Sequence, residues 1–272
     1  KKLRLSDSVE RWLPKLVPNG RNITIRQLLN HTSGLFDHEK DERILAPYLN
    51  GDLGHYWAPI QLVRMAVSHP PNFPPGKGEE YSSTNYIIAG LIVEKVTGHS
   101  IGTELRNRIF RPLHLGDTFY PTTPPIPGPH AHGYLVLGQP PALDVTGLSP
   151  SISPSAGAIV STADDVADFY RALLSGRVLK PQLLKAMQTT HAQAKYDVPG
   201  QRYGLGLMSY PTSCGVAWGH NGAFPGYQTV AFTSPNGKRQ AVIWVNLDPS
   251  SETPAAYAQI YKLLDTAYCS AG

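Results

Sequence analysis

Tyr227-Gln228-Thr229-Val230-Ala231-Phe232-Thr233-Ser234-Pro235-Asn236-Gly237-Lys238-Arg239-Gln240-Ala241-Val242-Ile243-Trp244-Val245-Asn246-Leu247 is the stretch that decides the fold. Two runs rich in β-branched and aromatic residues, 227–233 and 240–247, flank Pro235-Asn236-Gly237. Runs of this composition suit strands, and so short a reversal makes them antiparallel neighbours. Residues 215–219 and 205–210 have the same character, so the final third of the chain predicts an antiparallel sheet. A helix over 253–268 places Ala256, Ile260, Leu263, Leu264 and Ala267 along one face and is expected to pack on that sheet.

Upstream the period is helical. Thr24-Ile25-Arg26-Gln27 has the spacing of a capping box and opens a short helix that ends in His31-Thr32-Ser33-Gly34. Pro59 starts another helix, carrying Leu62, Val63 and Val67. From Thr84, Ile87, Ile88, Leu91, Ile92 and Val96 recur at helical spacing up to Gly98, the strongest buried helix in the chain. Thr162 caps an amphipathic helix through Val166, Phe169, Tyr170, Leu173 and Leu174, stopped by Gly176. The intervening 121–154 is rich in proline and glycine and reads as extended loop. The organisation is therefore α+β: a mainly helical region over 1–200 and the strands and last helix over 201–272, forming one interleaved unit.

The 272 residues include 25 Gly and 25 Pro, with 41% hydrophobic and 16% charged residues, which suits a loop-rich globular enzyme. A net charge of +4 without a long basic run excludes a nucleic-acid surface. No apolar stretch reaches the roughly 20 residues a membrane span needs, and the opening Lys1-Lys2-Leu3-Arg4-Leu5 lacks the apolar core of a secretory signal. The two cysteines, Cys214 and Cys269, would form one bridge in an exported protein and two buried thiols in a cytosolic one. The bridge is the expected state; it closes a loop of 55 residues, stabilising by about 4 kcal/mol in the chain-entropy account.

Two places combine reactive side chains with turn residues. Tyr81-Ser82-Ser83 holds a tyrosine at the mouth of the buried helix, where Ser82, Ser83 and Thr84 can cap it; by itself the tripeptide reads equally as a capped helix start with a packed tyrosine. Gly219-His220-Asn221-Gly222-Ala223 sits at the start of a strand or in a hairpin turn, with glycines that let a ligand approach the backbone and a histidine poised to titrate near neutral pH. His130-Ala131-His132 has no cysteine or carboxylate at metal-ligand spacing and reads as a loop pair. His31 reads as a helix-terminal histidine satisfying carbonyls. No metal site and no cofactor motif follows from these residues.

In their order the motifs resemble the serine β-lactamase and penicillin-binding superfamily, in its class C-like branch. Residues 23–35, Ile23-Thr24-Ile25-Arg26-Gln27-Leu28-Leu29-Asn30-His31-Thr32-Ser33-Gly34-Leu35, are similar to the segment that follows the nucleophile helix. Tyr81-Ser82-Ser83 stands where that branch has Tyr-Ser-Asn, and His220-Asn221-Gly222 where it has His-Thr-Gly. The segments 107–113, 117–120, Ser155-Ala156-Gly157-Ala158 and Tyr203-Gly204-Leu205-Gly206-Leu207 are similar to the secreted D-alanyl-D-alanine carboxypeptidases, which also carry a cysteine pair placed like Cys214 and Cys269.

The resemblance implies a helical domain plus an antiparallel sheet flanked by helices, with the site in the cleft between them, in an exported protein whose signal peptide is not in this chain. It implies acyl transfer through a serine ester from a D-amino-acid peptide, an ester or a β-lactam. Tyr81 would pass protons, His220 would take the charged or hydrogen-bonding role of the third motif, and the Ala223 N–H would contribute to an oxyanion hole. Ser83, Asn221, Gly222 and Met208 would line the substrate.

The departures are specific. No lysine in these residues has a serine three positions before it, so the Ser-x-x-Lys nucleophile is absent, and it is expected in an N-terminal segment of the same fold upstream of Lys1. Ser83, Asn221 and Ala223 replace an asparagine, a threonine and a hydroxyl residue of the pattern. Met208 falls where the carboxypeptidases have an arginine that holds a terminal carboxylate, a contact methionine cannot make. Beside a DD-peptidase-like hydrolase, the same fold therefore admits an esterase or peptide cyclase, and the missing nucleophile admits a non-catalytic binding protein.

Overall fold

The structure, a computed structural model, describes residues 3–136, 141–192, 200–247 and 254–270, and the side chains of all of these but 192 and 254–257. The chain divides into two compact units, residues 1–106, 120–124 and 148–158 in the first and 107–119, 125–147 and 159–272 in the second. Residues 159–200, grouped by sequence with the helical region, thus belong to the unit that holds the sheet.

The first unit is helical. Thr24 caps α1 (Ile25–Leu29) with the full reciprocal box: its hydroxyl accepts from the Gln27 N–H and the Gln27 side chain accepts from the Thr24 N–H. Helix α2 (Pro59–Val67) buries Leu62 and Val63. Helix α3 (Ser83–Thr97) is the central element; Ile87, Ile88 and Ile92 are essentially inaccessible, each contributing about 1.5–3 kcal/mol by burial. Gly98 ends it at φ 78°, in the left-handed region where glycine has no Cβ penalty. The start of α3 differs from the expected serine caps. Ser82 occupies the N-cap position without a side-chain cap, because the Ser82 and Thr84 hydroxyls both donate to the Phe36 carbonyl.

The second unit is built on an antiparallel sheet of order β3-β4-β5-β6-β7-β8: His191–Ala192, Arg202–Tyr203, Met208–Thr212, Gly215–Phe224, Tyr227–Thr233 and Gln240–Val245. On one face Tyr210, Ala217, Val230 and Phe232 pack with Tyr261, Leu264 and Tyr268 of the last helix. The other apolar cluster joins Leu207 and Trp218 to Leu173, Leu174 and Met187, from α4 (Ala163–Leu174) and α5 (Pro181–Met187). Thr162 caps α4 through the Asp165 N–H.

Four expectations need correction here. The last helix, α6 (Pro254–Ser270), turns Tyr261, Leu264 and Tyr268 inward, while Leu263 is 60% exposed and Ala267 is exposed too; the apolar stripe is rotated from the expected one, whose Thr253 and Ala256 side chain lie outside the described residues. The strand expected over 205–210 begins at Met208, since Gly204 N–H donates to the Leu207 carbonyl and Gly206 takes φ 72° in a turn. Residues 219–223 form no turn: β6 runs on to Phe224, and the reversal falls at Gly226, φ 84°. The loop over 121–154 contains a two-residue ladder, β1 (Tyr134–Leu135) with β2 (Leu143–Asp144), too short for periodicity to reveal. Cys214 and Cys269 are bridged as expected, tying the β5–β6 turn to α6.

Candidate active site

In the first unit, His31 is the mount for Tyr81. It follows α1 at φ 58°, is fully buried, and stacks on the Tyr81 ring with centroids 4.1 Å apart. Its Nδ1 receives the Ser82 N–H at 3.1 Å and faces the Asn85 amide nitrogen at 3.2 Å. Two donors on one nitrogen make it an acceptor, so the imidazole proton sits on Nε2. Ser33 Oγ donates to Asn85 Oδ1 at 2.6 Å, which orients that amide. Through Nδ1 the histidine thus satisfies donors of the Tyr81–Asn85 segment.

Asp37 braces the same segment. Its Oδ1 accepts from the Ser83 and Glu39 N–H groups at 3.2 and 3.3 Å. Burial, with the Glu39 carboxylate beside it, pushes the Asp37 carboxyl well above its ordinary value. Tyr81 is 36% exposed and reachable. Its phenol is held above its usual value by burial first, then by Tyr86, Glu39 and Asp37, and so is protonated at neutral pH. Ser83, expected to line the substrate, is instead 5% exposed in the first turn of α3, and the buried amide at this helix end is Asn85.

In the second unit the motif lies along β6. Strand β5 pairs with it only from Gly215 to Gly219, whereas β7 pairs as far as Phe224. Among the described residues no strand covers the β5-side edge of β6 beyond Gly219. The two glycines differ in kind: a Cβ on Gly219 would sit 1.8 Å from the Ala231 carbonyl oxygen, whereas one on Gly222 would meet nothing within 4 Å. Gly219 serves sheet packing; Gly222 and the exposed Ala223 leave room beside the backbone.

His220 packs edge-on against Tyr203, and its Nε2 lies 3.0 Å from the Tyr203 hydroxyl, while Nδ1 meets the Asn221 carbonyl. Burial holds its pKa below the ordinary 6.5, partly opposed by the bond to Asn221, so the ring is neutral at pH 7. Of the two roles expected of His220, charged or hydrogen-bonding, these contacts favour the hydrogen-bonding one. Met208 is also displaced from its expected role. It is 1% exposed, with its sulfur against the Gln201 amide and the Tyr210 hydroxyl, because the β5 pleat points it into the core with Tyr210 and Ala217. Sequence reasoning missed Asn85, Asp37 and Tyr203; the only advance signal was their position inside or beside the quoted motifs.

Residues 1–264 match the Beta-lactamase family model. The structure of a D-stereospecific amidohydrolase from Streptomyces sp. is 40% identical with a TM-score of 0.86, covering 91% of this chain and 76% of that one. The D-amino acid amidase from Ochrobactrum anthropi SV3 is 26% identical with a TM-score of 0.85, covering 99% and 79%. The penicillin-binding-protein relative PbpX of Bacillus subtilis (strain 168) is 28% identical over 269 residues, 97% of this chain and 61% of the relative's length. The chain thus spans about three fifths of that curated relative. It belongs to the beta-lactamase family, within the superfamily of serine β-lactamases and penicillin-binding proteins.

Proposed function

We propose that these residues supply the second and third motifs of a hydrolase that transfers the acyl group of a D-amino acid from an amide or ester, whose leaving amine or alcohol carries no carboxylate, to a serine and then to water. The observation that carries this reading is the third motif itself: a strand with an open edge, a neutral His220 and a core-facing Met208, where among the described residues these motif side chains present no cation to a terminal carboxylate. A DD-carboxypeptidase needs such a cation, since charge-assisted pairing is what distinguishes a free acid from an amide. The names of the amidohydrolase and amidase neighbours, both D-selective, support the same substrate class.

The roles follow. Tyr81, protonated and held on His31, donates to the leaving amine; serving also as base toward the serine requires a nearby cation to lower its pKa, the task of the lysine in Ser-x-x-Lys. That motif is contributed by residues outside these 272. The Ala223 N–H, with that of the serine, stabilises the oxyanion, an effect whose loss typically costs about 3–4 kcal/mol of barrier. The protein works outside the cytoplasm, in keeping with its disulfide.

The test uses the full-length protein with a D-phenylalanine amide, the matching ethyl ester, and a D-alanyl-D-alanine peptide bearing a free carboxylate. The amide and ester are expected to exceed the free acid in kcat/KM by at least tenfold, and Tyr81→Phe to lower kcat with little change in KM. A preference for the free acid would overturn the reading that the leaving group carries no carboxylate. Incubation with a fluorescent penicillin, followed by peptide mass mapping, locates the nucleophile; labelling of a serine within these residues would overturn its external placement. Absence of both turnover and label would favour the non-catalytic binding protein.

A further inference from the structure

The unexplained feature of the third motif is that neither nitrogen of its histidine is open. Nδ1 meets the Asn221 carbonyl, an acceptor, so Nδ1 must carry the proton. Nε2 then has a lone pair and no hydrogen, and the contact to the Tyr203 hydroxyl at 3.0 Å can only be an O–H donating to it. Tyr203 is 1% exposed and fixed in the core with Met208, Tyr210 and Ala217, so its hydroxyl has a set position.

We infer that Tyr203 is a positioning residue for the third motif: its O–H→His220 Nε2, Nδ1–H→Asn221 O relay fixes one imidazole tautomer and anchors the backbone of 221–223, the segment whose edge β5 leaves uncovered. His220 thereby acts on the strand and not on the substrate directly. What the motif offers a ligand is the backbone of Asn221, Gly222 and Ala223 with open space at Gly222. Burial, which disfavours the charged ring, reinforces the arrangement, because a second proton on Nε2 would face a donor unless the tyrosine hydroxyl turned its hydrogen away.

The functional consequence rests on the acyl-transfer reading, but the relay itself does not, and the experiment separates them. Long-range proton–nitrogen correlation spectra of the folded protein at pH 7 report the tautomer of His220 without any turnover. The expected result is an Nδ1–H imidazole, with Nε2 resonating as an unprotonated nitrogen. In Tyr203→Phe the tautomer ratio should move about tenfold toward Nε2–H, the worth of one buried hydrogen bond, with kcat on the amide substrate falling more than KM changes. A His220 that is Nε2–H or doubly protonated in the unaltered protein overturns the relay, as does a Tyr203→Phe spectrum identical to the original. Should Tyr203→Phe not fold, the unaltered protein's tautomer still decides. A confirmed tautomer with no amide turnover would leave the relay standing and remove only the proposed reaction.

Discussion

Replacing Gly219 and Gly222 by alanine, one at a time, separates the sheet-building glycine from the one that leaves room for a ligand. At Gly219 the new methyl would lie 1.8 Å from the Ala231 carbonyl oxygen and 2.8 Å from its carbon, backbone atoms both. Roughly 1.5 Å of separation between β6 and β7 would have to be created to restore contact distance. Strand β7 cannot drift away freely, since Ala231 and Phe232 pair with Val242 and Ala241 of β8 and Phe232 packs on Tyr261 and Tyr268. Overpacking of this kind costs about 1–3 kcal/mol, and a lost buried ladder bond adds about 1–3 kcal/mol. Reduced freedom of the unfolded chain returns about 0.4–1 kcal/mol. The net is a loss of about 1–5 kcal/mol, or roughly 2–10 °C in Tm at about 2 °C per kcal/mol for a chain of this size. At Gly222 the methyl meets nothing, so Tm should move by less than about 2 °C, while acylation slows because the space beside the strand is filled. Thermal unfolding followed by circular dichroism, with penicillin labelling of the full-length protein, measures both. An unchanged Tm for Gly219→Ala, or a larger loss for Gly222→Ala, would refute the β6–β7 register on which the site is built.

Other outcomes follow from single features. Replacing Cys214 and Cys269 together by serine removes a bridge closing a loop of 55 residues and should cost about 4 kcal/mol, seen as a lower urea midpoint; an unchanged midpoint would show that α6 and the β5–β6 turn hold without it. The raised pKa of Asp37 means that the folded state binds a proton more tightly than the unfolded state does. Its contribution therefore erodes stability as pH rises from its ordinary 3.8 through the raised value, and Asp37→Asn should flatten that part of the pH–stability curve; a curve of unchanged slope would refute the assignment.

Much of the fold was legible in the chain. The capping box at Thr24, the glycine stop at Gly98, the strand 227–233, the reversal at 235–237 and the cysteine pair all stand where expected, because each depends on local dihedral preference or on a feature only the sequence order can carry. The register of the last helix was not legible: Ile260 and Leu264 fit more than one apolar stripe, and only the sheet beneath selects Tyr261 and Tyr268 over Leu263 and Ala267.

The sequence by itself determined the family, and its motif order singled out Tyr81 and His220 as candidates, since order along the chain survives in one dimension. Only the tertiary structure decided what those residues do. His31 meets Ser82 and Asn85 from more than 50 positions away, and Tyr203 meets His220 from 17 away. Whether an imidazole nitrogen donates or accepts is set by the partner that packing brings to it, and so is whether a methionine lines a cleft or fills a core. Neither partner nor burial is encoded in the spacing of a motif.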